Sequence, residues 1–164
     1  MRRLLVSFLA ILVVLASLLL ALKEKVNSKN ELVKNISFLT VDDFTLINNP
    51  NKVLQDKLAL VFFSTHCSLC SYELEQLKYK AYTEIDFLFC SLEPKDSILQ
   101  YIRYNDFEPA PNLIFAQIDS SLLKHKYQLK GYPSYFLYKD DSLVTYKSGI
   151  LSDQKIRNVF YGEN

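Results

Sequence analysis

At 164 residues the chain has room for one ordinary domain and little else. Hydrophobic residues make up 49% of it, which excludes intrinsic disorder, and three cysteines in a chain this long exclude a disulfide-stapled scaffold. The 19 Lys and Arg against 18 Asp and Glu leave a formal charge of +1, and Arg2 and Arg3 stand apart at the N-terminus, so the rest is near neutral and argues against nucleic acid as a partner.

Arg2 and Arg3 precede an apolar run from Leu4 to Leu22 that is broken only by Ser7 and Ser17. As a helix at about 1.5 Å per residue this run spans roughly 28 Å, enough to cross the apolar core of a bilayer. A secretory signal has the same charged start, but a shorter apolar stretch and a small-x-small cleavage site. Here Leu19-Leu20-Ala21 and Leu15-Ala16-Ser17 place Leu where a small residue is wanted. No cysteine occurs before Cys67, which excludes a lipid-modified N-terminal cysteine. The reading is a transmembrane anchor over residues 1–22, in the membrane through 4–22, with a cleaved signal peptide as the alternative. A solvated tether over 23–35 and one folded domain over 36–164 follow. Arg2 and Arg3 favour a cytoplasmic N-terminus, against the pull of Lys23 and Lys25 after the run. That orientation delivers the domain to the extracytoplasmic side, periplasmic or extracellular, where thiols meet an oxidising environment.

In the domain, Ile36–Ile47 alternates loosely and Asn48-Asn49-Pro50-Asn51 is a turn, together a short opening strand or hairpin. Leu58–Phe63 (LALVFF) is a continuous apolar run, the pattern of a strand buried on both faces. It ends at Ser64-Thr65-His66, and a helical pattern begins near Cys67 with Leu69, Tyr72, Leu74, Leu77 and Tyr82 as its apolar stripe. Ile85–Leu92 predicts a second buried strand, and Asp96–Tyr104 a helix entered after Pro94. Beyond a loop bracketed by Pro109 and Pro111, Leu113–Ile118 predicts a strand and Ser120–Tyr127 a short helix. Ser134–Tyr138 and Leu143–Tyr146 pair across a turn at Lys139-Asp140-Asp141. Ser152-x-x-Lys155 opens a terminal helix with Ile156, Val159 and Phe160 on one face. A βαβ start followed by a hairpin and a closing helix predicts an α/β fold with a central mixed sheet and helices on both faces.

Cys67-Ser68-Leu69-Cys70 falls where a buried strand hands over to a helix. Unpaired N–H groups and the dipole at a helix head stabilise a thiolate, and Cys70 lies one turn on, close enough to pair with Cys67. Cys67 is expected as the exposed attacking thiol and Cys70 as the resolving thiol, exchanging electrons through a mixed disulfide. His66 adds positive character when protonated, or only covers the edge of the site. A C-x-x-C is also half of a zinc site, but Cys90, His66 and His125 are the remaining thiol and imidazole ligands and none repeats a paired spacing. No metal and no cofactor are therefore expected. Cys90, between Phe89 and Ser91 in mid-strand, reads as a small core hydrophobe.

On three features the chain resembles the thioredoxin superfamily: LALVFF running into THCSLC, Gly131-Tyr132-Pro133-Ser134 followed by YFLYKDDSLVTYKSG, and the terminal helix after Gly149. The match runs from about Ile36 to Phe160. The resemblance implies a thioredoxin-like fold, a cis Pro133 lying against the C-x-x-C, and a Tyr132 backbone offered to a bound substrate strand. Within the superfamily the chain looks most like the membrane-tethered TlpA/ResA type. The anchor, the extra strand–helix segment before Leu113 and a C-x-x-C-x-x-E made by Cys67, Cys70 and Glu73 carry that likeness. Glu73 shares the helix face of Cys70, where it would tune thiol acidity or relay a proton unless it is merely solvated.

Such a resemblance implies a redox-active Cys67–Cys70 disulfide that reduces disulfides of exported client proteins, apocytochrome c for example. Electrons would come from a membrane dithiol carrier of the CcdA/DsbD kind. The departures are His66 for the family's Trp, Val61 for its buried acid, Ser68-Leu69 for Gly-Pro between the cysteines, and Glu75 for the helix-kinking proline. Each alters thiolate stability or access, so the redox potential does not carry over. A disulfide oxidase or isomerase, and a copper- or zinc-binding module on the same scaffold, are the alternatives.

Overall fold

The computed structural model describes residues 14–23, 44–48, 51–78, 82–107 and 110–163. The chain divides into two compact units, Met1–Asn35 and Ile36–Asn164. In the first, residues 14–23 form a helix (α1) exposed along its whole length. Among the described residues no helix is long and apolar enough to cross a membrane. Residues 4–13 of the expected anchor, and the tether beyond Lys23, lie outside the described residues.

Among the described residues the second unit holds six strands, β1 (Phe44–Leu46), β2 (Lys57–Phe62), β3 (Asp86–Ser91), β4 (Leu113–Ile118), β5 (Ser134–Lys139) and β6 (Ser142–Ser148). Its helices are α2 (Ser68–Lys78), α3 (Lys95–Tyr104), α4 (Ser120–Leu122) and α5 (Asp153–Tyr161), with a π turn over Leu123–Tyr127 continuing α4. The strands form one sheet in the order β1-β4-β3-β2-β5-β6. β2, β3 and β4 run parallel, while β1, β5 and β6 are antiparallel to their neighbours.

LALVFF lies at the centre of this sheet because it is apolar on both faces. Leu60 pairs with Leu88 on one side and Phe136 on the other. Alternation along the strands then sorts the side chains into two layers. Ala59, Val61, Phe63, Phe87, Phe89, Phe115, Tyr135 and Leu137 join one core with residues of α2, α3 and α5. On the opposite layer Phe62 packs 4.7 Å from Tyr127 and 5.6 Å from Phe136, ring centre to ring centre. Each such fully buried side chain contributes about 1.5–3 kcal/mol relative to exposure.

Two expectations are corrected, while the short opening strand is present as β1. Because β3 and β5 already occupy both edges of β2, β1 takes the free edge of β4, and Asn48 prolongs the pairing through its side chain. Asn48 Nδ2 donates to the Leu113 carbonyl and its Oδ1 accepts from the Phe115 N–H, both at 2.8 Å. The predicted stripe of α2 is displaced: Leu69 and Tyr72 are 36% and 52% exposed, while Cys70, Glu73, Leu74 and Leu77 are buried. Those four follow the i, i+3, i+4, i+7 spacing of a helix face once a cysteine and a glutamate are counted as inward. Tyr82 is buried but stands beyond the helix, before β3. The helix predicted over Ser120–Tyr127 splits, with Asp119 accepting from the Ser121 N–H at its head and a π turn ending it.

The closing elements follow their local signals. Asp140 and Asp141 take φ of 51° and 59°, the left-handed pair that turns a two-residue hairpin. Ser152 caps α5 by accepting from the Lys155 N–H.

Candidate active site

β2 gives way to the turn Ser64-Thr65-His66-Cys67, which leads directly into α2. Cys67 N–H donates to the Ser64 carbonyl at 3.1 Å, and the Cys67 carbonyl accepts from Ser71 N–H at 3.1 Å, so Cys67 stands at the cap of the helix. Cys67 and Cys70 are joined in a disulfide across a Cα–Cα separation of 5.2 Å. Cys67 is half-buried and Cys70 has no exposed surface. The Cys70 N–H points at Cys67 Sγ from 3.1 Å. A donor and a helix head aimed at the outer sulfur stabilise it as a thiolate leaving group or nucleophile.

His66 is exposed, with Nδ1 3.1 Å from Thr65 Oγ1 and 4.0 Å from Glu93 Oε1. Glu73 is not solvated: it is 6% exposed. Its Oε2 accepts from the Tyr135 hydroxyl at 2.8 Å and from the Leu151 N–H at 3.1 Å. Burial, reinforced by the Glu73 charge, pushes the Tyr135 phenol far above its ordinary value, so it remains a donor. The carboxylate thereby ties α2 to β5 and to the segment that enters α5.

The Tyr132–Pro133 peptide bond is cis. Ser134 pairs with Phe62, which sets this segment beside the end of β2, where the cysteine turn begins. The Pro133 carbonyl accepts from Gly149 N–H at 2.8 Å, and Ser134 Oγ donates to the Gly131 carbonyl at 2.7 Å. Burial first, and the Glu93 charge second, raise the Tyr132 phenol above its ordinary value.

Val61, standing for the absent strand acid, is buried in the layer that receives Cys70. Cys90 is unpaired and fully buried, and burial pushes its thiol well up. It alternates with Phe89, which belongs to the Cys70 layer, so Cys90 points to the other face of the sheet. Among the described residues no group of three or more His, Cys, Asp and Glu could hold a metal ion. The His125 side chain lies outside the described residues.

Sequence reading missed Ser64, Glu93, Tyr135 and the Leu151 N–H. One signal was present for two of them. Sites in open α/β sheets gather at the carboxyl ends of parallel strands, and Ser64 and Glu93 follow the neighbouring strands β2 and β3.

A disulfide at the head of the first core helix, a cis-proline segment beside it and a mixed sheet of this order define a thioredoxin-like α/β protein with a C-x-x-C pair. No protein-family model and no curated protein matches the sequence. Solved structures do match in fold. A thiol-disulfide isomerase from Corynebacterium glutamicum is 14% identical with a TM-score of 0.61, covering 77% of this chain and 94% of its own. A thioredoxin-like protein from Aeropyrum pernix is 15% identical with a TM-score of 0.60, covering 86% of this chain and 99% of its own. StoA from Bacillus subtilis is 22% identical with a TM-score of 0.50, covering 66% and 84%. At these identities the likeness is one of fold.

Proposed function

We propose that the chain is a membrane-anchored thiol-disulfide oxidoreductase that reduces disulfides of exported proteins through the Cys67/Cys70 dithiol. The observation that carries this reading is the pair itself, one sulfur half-exposed at a helix cap and the other buried behind it. The Cys67 thiolate attacks one sulfur of a client disulfide, forming an intermolecular S–S bond and releasing the other client sulfur as a thiolate that takes up a proton. Cys70, having lost its proton, attacks the Cys67 sulfur, closing the Cys67–Cys70 bond and freeing the second client thiol. Two electrons pass to the client. In this reading Glu73, three residues beyond Cys70 on the same buried face, receives the Cys70 proton. A membrane dithiol carrier of the CcdA/DsbD kind would restore the dithiol, and apocytochrome c is a client of the expected class.

The apolar run over residues 4–22, with α1 exposed along its described part, supports anchoring. Arg2 and Arg3 before it support an extracytoplasmic domain. Isomerase or oxidase action is the second reading, favoured by the N–H aimed at Cys67 Sγ, since a stabilised thiolate makes a dithiol more oxidising.

The test is insulin reduction by the purified full-length chain and by its variants. Cys67→Ala is expected to abolish turnover, and Cys70→Ala to accumulate mixed disulfides with clients. Wild-type turnover by the double variant would end this reading. A reduction potential near or below about −250 mV marks the reductant, whereas one near about −120 mV marks a disulfide donor.

A further inference from the structure

We propose that Glu93 is a positioning residue of the dithiol site: its carboxylate holds the turn that presents the Cys67 sulfur, and its charge opposes ionisation of that sulfur. The proposal rests on the thiol-disulfide reading above. Glu93 follows β3 and precedes Pro94, the residue at the head of α3. β2 and β3 are adjacent and parallel, so their carboxyl ends lie side by side and Glu93 reaches the turn that leaves β2.

Glu93 Oε1 accepts from Ser64 Oγ–H at 2.7 Å and from Thr65 N–H at 3.2 Å. Ser64, held in this way, accepts from His66 N–H through its Oγ at 3.3 Å and from Cys67 N–H through its carbonyl at 3.1 Å. Each of the three backbone N–H groups leading to and including Cys67 is thus bound by Glu93 or by the serine that Glu93 fixes. A turn so held places the sulfur at the helix cap before any client arrives.

The other carboxylate oxygen carries the second half of the argument. Oε2 is buried and has no hydrogen-bond partner among the described residues. Buried polar atoms in folded proteins are normally satisfied, and an exception calls for a reason. No Lys or Arg pairs with Glu93 among the described residues. Among the described residues the exposed His66 ring lies 4.0 Å from Oε1, and it offsets the charge only when protonated. Among the described residues, the other titratable groups near this turn and helix include Tyr132 on the cis-proline segment, Glu73 with Tyr135 on α2 and β5, Tyr101, hydrogen-bonded to Ser71 from α3, and Tyr104, which lines a pocket with Thr65 and His66. Glu73 and Glu93 each take two donors on one oxygen, and the second oxygen of Glu93 is the buried one left without a partner among the described residues. An anion there counteracts the helix head, disfavours the Cys67 thiolate and weights the couple toward the reductant side.

The experiment uses the full-length chain in detergent with Cys70→Ala, so that Cys67 is the thiol followed by thiolate absorbance as pH is raised. Cys90 stays outside the window because its thiol is pushed well up by burial. Glu93→Gln keeps an acceptor toward Ser64 and Thr65 and removes the charge. It is expected to lower the Cys67 thiol by about half a unit to one unit, raising the thiolate fraction about three- to tenfold. Glu93→Ala removes the acceptor as well, and amide hydrogen exchange at Thr65, His66 and Cys67 is expected to quicken about tenfold or more, with Glu93→Gln close to the parent. An unmoved Cys67 titration in Glu93→Gln overturns the proposal even if the alanine variant fails to fold. Unchanged exchange in Glu93→Ala overturns it as well. Absence of insulin turnover by the chain with both cysteines in place, with the Cys67 shift intact, would sink the oxidoreductase reading and leave the Glu93 arrangement standing.

Discussion

Two donors separated from Glu73 by 62 and 78 residues, the Tyr135 hydroxyl and the Leu151 N–H, converge on a single carboxylate oxygen. Removing that oxygen leaves both donors buried and unpaired, at about 1–3 kcal/mol each. Glu73→Ala is therefore expected to lower the unfolding free energy by about 2–5 kcal/mol in urea titrations, and Tyr135→Phe by about 1–2. Because the two residues share one bond, the double variant should fall short of the sum. A Glu73→Ala chain as stable as the parent would contradict the buried carboxylate. The spacing C-x-x-C-x-x-E singles out Glu73 in the sequence, but nothing local announces its partners. Glu93 was less legible still, because its bonds to Ser64 and Thr65 form only once two strands lie in register.

For the elements, α2 shows where pattern reading succeeds and where it slips. Its existence and its start near Cys67 follow from periodicity and from the end of the apolar strand. Its inward face does not, because Cys70 and Glu73 are inward residues of a type that pattern counting treats as polar, and Leu69 and Tyr72 are apolar residues left at the surface. The displaced face is measurable. Leu74→Ala should cost about 2–5 kcal/mol, as expected for truncation in a packed core. Tyr72→Ala should stay within about 0.5 kcal/mol. Equal losses in denaturant titrations would restore the stripe through Leu69 and Tyr72. The cap at Ser152 and the turn at Asp140-Asp141 needed no such correction, since each depends on residues within a few positions of one another.

Over the whole molecule, burial of titratable groups links stability to alkaline pH. The Cys90 thiol and the phenols of Tyr135 and Tyr138 are all raised by desolvation, Tyr135 further by Glu73. Unfolding returns them to ordinary values near 9.0 for the thiol and 10.0 for the phenols. Above those values the unfolded chain has lost protons that the native chain still holds, so raising the pH favours unfolding. The stabilisation is complete below about pH 9 and declines above it by up to about 1.4 kcal/mol per pH unit for each group. Tyr138→Phe removes one group and should flatten the decline above pH 10, read as urea midpoints between pH 8 and 11. A stability that stays level across that range would mean these side chains meet solvent in the native state.

Short-range regularities in the sequence by themselves determined the strands of the central sheet, the helices that follow them, the place of Cys67 and Cys70 at a strand-to-helix junction and the core position of Cys90. An apolar run or a capping residue is read from its own neighbours, so no knowledge of the fold is required. Which edge β1 occupies, which side of α2 turns inward, and which donors meet Glu73 and Glu93 were decided only by the tertiary structure. Each depends on the surface left open once β3 and β5 have closed around β2, and on satisfying buried polar groups with residues distant along the chain. Partners chosen by burial in the assembled molecule leave no period in the sequence.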